Sequence, residues 1–151
     1  MNETDNKFIK YELILDEILQ GMDEASYDAP GQLSGYLVYD DLSFLSGRTG
    51  ARGLARKWGR EKMLSFLLDW YLVHRKKDKE EEEAQLLERL ILQIEKGGCD
   101  PLEALYAYFS ALDLSHLPEE GLCRELIRSI PAEDLLSHIA RTYMEERKLG
   151  W

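Results

Sequence analysis

The densest apolar stretch in the chain runs from Met63 to Val73. Nine of its eleven residues are apolar or aromatic, and only Ser65 and Asp69 intervene. At 100° per residue those nine cover nearly the whole circumference of a helix, the pattern of a helix buried on every side. A membrane span needs about 20 apolar residues, so the run is too short to be one. It predicts the central helix of a soluble core, spanning about 60–77, with the Arg75–Lys79 cations at the negative end of its dipole.

Weaker stripes surround it. Phe8, Tyr11, Leu15, Ile18 and Leu19 fall at spacings of three and four, which predicts a first helix capped by Asn6 and stopped by Gly21. Residues 21–35, punctuated by Gly21, Pro30, Gly31 and Gly35, predict a loop. Residues 36–45 read as either a hairpin around Asp40 and Asp41 or a helix. A lone hairpin is marginally stable, so helix is favoured, with Leu33, Leu37 and Phe44 on one side. Gly47, Gly50 and Gly53 make 46–53 a flexible, glycine- and arginine-rich connection into a short helix over 54–58.

After the central helix, Glu80–Glu83 favour the start of a helix whose stripe is Leu86, Leu87, Leu90, Ile91 and Ile94, with Gly97 and Gly98 ending it. Lys76 and Lys77 beside those acids predict a solvated turn. Three proline–glutamate pairs come next, Pro101/Glu103, Pro118/Glu120 and Pro131/Glu133, each fitting the first turn of a helix. The prediction is all-α: one domain over 1–151, a compact antiparallel bundle of six to eight helices, its C-terminal half made of short HEAT-like hairpins.

Charge changes this picture. The net charge of −10 hides a division into −8 over residues 1–45, +7 over 46–77 and −9 over 78–151. The basic band is either neutralised by its acidic flanks or offered to an acidic partner. The acidic, polar first residues lack the pattern of an export signal, so a cytoplasmic protein with reduced Cys99 and Cys123 is expected.

Candidate chemistry is sparse. The glycines at 47, 50 and 53 lack the Lys-Ser/Thr of a phosphate loop. Leu54–Leu64 resembles the turn of a helix-turn-helix, with Ala55 and Gly59 at the bend. However, Arg60 and Ser65 replace packed apolar positions, and Phe66–Tyr71 is too apolar for a DNA groove. Asp113/His116 and Asp134/His138 could each place two metal ligands on one helix face, but a site needs three or four, and none is predicted. None of the three histidines follows an arginine at the spacing of helical HEPN-type RNases. Cys99 has no histidine partner in view. Asp69, a carboxylate in an apolar helix, calls for a core ion pair with Arg56 or Arg60, the other possibility being a narrow exposed edge.

These residues support two functional readings. The first is a non-enzymatic, cofactor-free interaction module: a small acidic inhibitor of the immunity-protein, antitoxin or chaperone kind. It would occupy a basic partner through Asp23, Glu24, Asp28, Asp40 and Asp41. The alternative is a subunit of a nucleic-acid complex that holds phosphate through Arg48, Arg52, Arg56, Lys57 and Arg60 within the basic 48–62 segment.

Overall fold

The computed structural model describes residues 3–47, 49–76, 79–119 and 121–149, with side chains from Ile9 onward. Among them are eight α-helices and no strand: α1 Glu3–Glu24, α2 Ala29–Tyr39, α3 Ala51–Trp58, α4 Arg60–His74, α5 Glu82–Lys96, α6 Pro101–Ala111, α7 Cys123–Arg128 and α8 Ala132–Arg147. A 3-10 turn at Leu42–Phe44 lies between α2 and α3. None of these helices is long and apolar enough to cross a membrane.

The apolar run does form the central helix. In α4, Met63, Leu64, Phe66, Leu67, Leu68, Trp70 and Tyr71 are buried, and α4 packs against α1, α2, α3, α6 and α8. Each fully buried leucine contributes about 1.5–3 kcal/mol to burial. The helix ends at His74, with Arg75 as its extended cap, and Val73 is already 68 % exposed. Lys77 lies outside the described residues.

Caps set the other boundaries, and several differ from expectation. α1 already includes Asn6, so Asn6 is not its cap, and α1 passes through Gly21 to Glu24. The side chain of Phe8 lies outside the described set. The expected loop at 21–35 shrinks to 25–28, because the Asp28 carboxylate accepts from the Gly31 N–H at 3.3 Å and Pro30 sits in the first turn of α2. Pro30 loses nothing there, since its missing N–H has no partner in a first turn. Asp40, in the left-handed region at φ 53°, ends α2. Gly35 is required where it stands: a Cβ there would lie 2.3 Å from the Phe44 ring.

The proline–glutamate pairs divide. Asp100 caps α6 by accepting from the Glu103 N–H at 3.2 Å, with Pro101 next. Pro131 immediately precedes α8, whose first turn carries Glu133 and Asp134. Pro118 starts no helix: it packs against Gly97, and α7 begins only at Cys123. Glu120 lies outside the described residues.

Of the C-terminal helices α6 and α7 are short, as expected, but α8 has 16 residues and pairs with a distant partner. Its most extensive neighbour is α2, and it also packs on α1, α4 and α5. A polar cluster locks α8 to α1. Arg147 donates to Asp16 (2.6 Å) and Glu12 (2.8 Å), while the Tyr143 hydroxyl donates to Asp16 Oδ1 at 2.7 Å. Beside it, Trp70 and Phe66 meet the Tyr143 ring edge-on.

Candidate functional site

Ser65 and Asp69, the two interruptions of the apolar run, are four residues apart, and Glu61 is four residues before Ser65. Residues at that spacing lie on one edge of a helix. This edge of α4 is the part its neighbours leave uncovered, and it borders a groove of about 730 Å³ between α4 and α6. Tyr11, Phe66, Leu102 and Tyr106 form the groove's aromatic and apolar walls. Its rim carries four carboxylates, Glu61, Asp69, Asp100 and Glu103, against the single cation Lys62.

Burial raises the Tyr106 hydroxyl pKa above its ordinary value, and the Glu61 carboxylate adds to the shift. Asp100 is partly committed to capping α6, and Glu103 lies 3.2 Å from His116 Nδ1. The Asp69 side chain is half-buried, without a hydrogen bond or ion pair among the described residues. The expected core ion pair is therefore not formed, because the Arg60 guanidinium is directed elsewhere.

Arg60 sits at the first position of α4 and is 16 % exposed. Its guanidinium donates to Leu37 O (2.8 Å), to Val38 O (3.4 Å) and to Ser110 O (2.7 Å). Those carbonyls belong to the C-terminal turns of α2 and α6, so one cation serves the negative ends of two helix dipoles. Arg52 likewise donates to Leu45 O at 2.8 Å and Leu42 O at 3.2 Å, tying the 3-10 turn to α3. The glycine-rich connection is thus partly helix, held in place by a side chain expected to bind phosphate. Arg56 and Lys57 are exposed on α3; Arg48 lies outside the described residues.

Two further cations of the band have internal partners. Arg75 pairs with Glu88, while Lys76 reaches Glu146 at 3.0 Å and the neighbouring Lys79 reaches Glu145 at 3.9 Å. Arg52, Arg60, Arg75 and Lys76 thus bind the chain's own carbonyls or carboxylates, while Arg56 and Lys57 stay exposed.

The five acidic candidates fall at the two ends of α2, which its eleven residues separate by roughly 16 Å. Asp23, Glu24 and Asp28 surround the α1–α2 turn, with Glu24 accepting from Gln20 at 3.0 Å. Asp40 and Asp41 lie at the other end. Asp41 caps the 3-10 turn, and hydrogen bonds from Ser43 hold its carboxyl below the usual range. They do not form one patch, and three of the five have capping duties.

Of the thiols and histidines, Cys123 and His138 are packed into the core. Cys123 is buried, and burial pushes its thiol pKa up. His138 is 6 % exposed beside Tyr71, and burial followed by the Arg141 charge holds its pKa below the ordinary value. His116 approaches Asp113 at 3.8 Å, as their spacing allows. Among the described residues no three of His, Cys, Asp and Glu converge to hold a metal ion.

Residues 1–73 match the model of the IreB regulatory phosphoprotein family. The match takes in α1 to α3 and all of α4 but its last residue. No solved structure matches the chain.

Proposed function

We propose that this chain is a regulatory protein that acts through contact with a partner protein, and that phosphorylation sets its state. The observation that carries the reading is the match of α1–α4 to a family described as a regulatory phosphoprotein. In its finer form the chain is a small acidic protein of the inhibitor kind, which takes up a basic segment of its partner without catalysis. Its net charge of −10 and the carboxylate rim of the α4–α6 groove support that form. The nucleic-acid alternative has less support, because Arg52 and Arg60 are committed to backbone carbonyls.

A phosphate needs an accessible hydroxyl. Among the described serines of the matched segment, Ser26 and Ser43 are exposed and Ser65 is half-buried, whereas Ser34 and Ser46 are buried. Ser26 follows Asp23 and Glu24, and Ser43 follows Asp40 and Asp41. A phosphate adds about −1.5 to −2 charges, so at either serine it would deepen an existing negative field.

The test is affinity capture of the tagged full chain with mass spectrometry, with and without nuclease and phosphatase treatment. The expected result is a stoichiometric protein partner that survives nuclease and whose recovery changes with phosphatase. Recovery of nucleic acid, or loss of all partners on nuclease treatment, would overturn the reading.

A further inference from the structure

We infer that the groove between α4 and α6 is a binding site for an arginine or lysine side chain of a partner polypeptide, flanked there by an apolar residue. This rests on the regulatory-contact reading above and names the surface through which it acts.

Three observations converge. The first is sequence economy. Between Met63 and Tyr71 every residue of α4 is buried except Ser65 and Asp69, and both of these line the same groove. Burying a carboxylate without a partner is costly, and Asp69, half-buried, has none among the described residues. A cation arriving from outside supplies one.

The second is the shape of the acidic rim. The carboxylates do not converge tightly enough to share one metal ion. They are spread along a groove of about 730 Å³, within the usual range of 300–1,000 Å³ for ligand pockets. Spread carboxylates suit a long side chain whose charged head can reach several acceptors, and a guanidinium offers five donors in a planar fork.

The third is the wall chemistry. Leu102 and Tyr106, both half-buried, offer an apolar surface to the aliphatic stem of such a side chain, and an aromatic face attracts a cation. A free inorganic cation would leave those walls unused, and a purely apolar ligand would leave Asp69 without a partner. An arginine or lysine beside an apolar residue uses both.

The test is a displayed library of random heptapeptides, selected on the full-length protein and compared on three variants. Asp69→Asn removes the central charge, Asp69→Lys reverses it, and Glu125→Gln removes a charge from exposed α7 as a control. Circular dichroism verifies that each variant is folded. The selected peptides should carry arginine or lysine beside an apolar residue, bind about tenfold more weakly to Asp69→Asn, and bind Glu125→Gln unchanged. Asp69→Lys should lose them and favour acidic peptides. Selection of neutral or acidic peptides on the wild type, or equal binding to Asp69→Asn, would overturn the assignment. If that happens while capture still returns a nuclease-resistant partner, the groove is wrong and the regulatory reading stands. If capture fails as well, both fall.

Discussion

Arg147 Nη2 lies 2.6 Å from Asp16 Oδ2, joining the last helix to the first across 131 residues of sequence. The Tyr143 hydroxyl donates to the other oxygen of the same carboxylate. One partly buried aspartate thus holds two side chains of α8 at once.

Arg147→Ala would leave Asp16 and Glu12 as neighbouring carboxylates without their cation. The expected loss is about 1–3 kcal/mol, read as a lower urea midpoint with an unchanged slope. Asp16→Asn should cost a similar amount, and the double variant less than the sum, because both remove the same contact. Additive losses would mean that the two side chains do not act as a unit.

Arg60→Ala should be among the more damaging changes at a charged position. It strands carbonyls of α2 and α6, with an expected cost of about 2–3 kcal/mol in thermal or urea unfolding. Lysine should rescue poorly, since an ammonium cannot reproduce the fork that reaches Leu37 and Ser110 together. Full rescue by Arg60→Lys would contradict this bridging role.

Gly35→Ala would set a Cβ 2.3 Å from the Phe44 ring. The ring, which stacks on Tyr39 at 5.7 Å, has to shift, and a destabilisation of about 1–3 kcal/mol is expected. Combining it with Phe44→Leu should recover part of that loss. No recovery would place the strain elsewhere.

Stability should fall on both sides of neutrality. Below pH 6.5 the unfolded chain protonates His138 while the folded chain resists, so the unfolded state binds more protons and stability drops as the pH falls. Above pH 10 the unfolded chain loses tyrosine protons that Tyr71 and Tyr143 retain when folded, chiefly because they are buried. There the unfolded state binds fewer protons, and stability drops as the pH rises. Urea midpoints across this range test both limbs, and His138→Gln should flatten the one between pH 7 and 5.5.

The elements whose evidence is local were legible in the sequence. The apolar circumference of α4, the stripe of α5 and the Asp100–Pro101 start of α6 each depend on residues within a turn or two. The reading of 21–35 as a loop failed because glycine and proline have two meanings. Gly21 lies inside α1, and Pro30 with Gly31 forms the first turn of a helix capped by Asp28. Pro118 failed in the opposite sense: its ring is used to pack against Gly97, 21 residues away. The roles of Arg52 and Arg60 were hidden for a different reason. Their acceptors are backbone carbonyls up to 50 residues distant, and carbonyls leave no mark in a sequence. The groove had a partial signal in the spacing of Ser65 and Asp69, but its other walls come from α1 and α6.

The segment that matches the regulatory family does not cover its own apolar surface. Trp70 and Tyr71 of α4 pack under helices beyond residue 73, and α8 lies along α2. Residues 1–74 produced alone should therefore self-associate or bind a hydrophobic dye strongly, as size-exclusion chromatography and dye fluorescence would register. A monodisperse, dye-silent fragment would show that α5–α8 are dispensable to it.

The most direct test of the central claim is the dissociation constant between the purified full chain and its captured partner, for wild type and Asp69→Asn, at about 0.05 M and about 0.2 M salt. The account predicts tighter binding at low salt, about tenfold weaker binding for Asp69→Asn, and a shallower salt dependence in that variant. Equal affinities for the two proteins at both salt concentrations would contradict it.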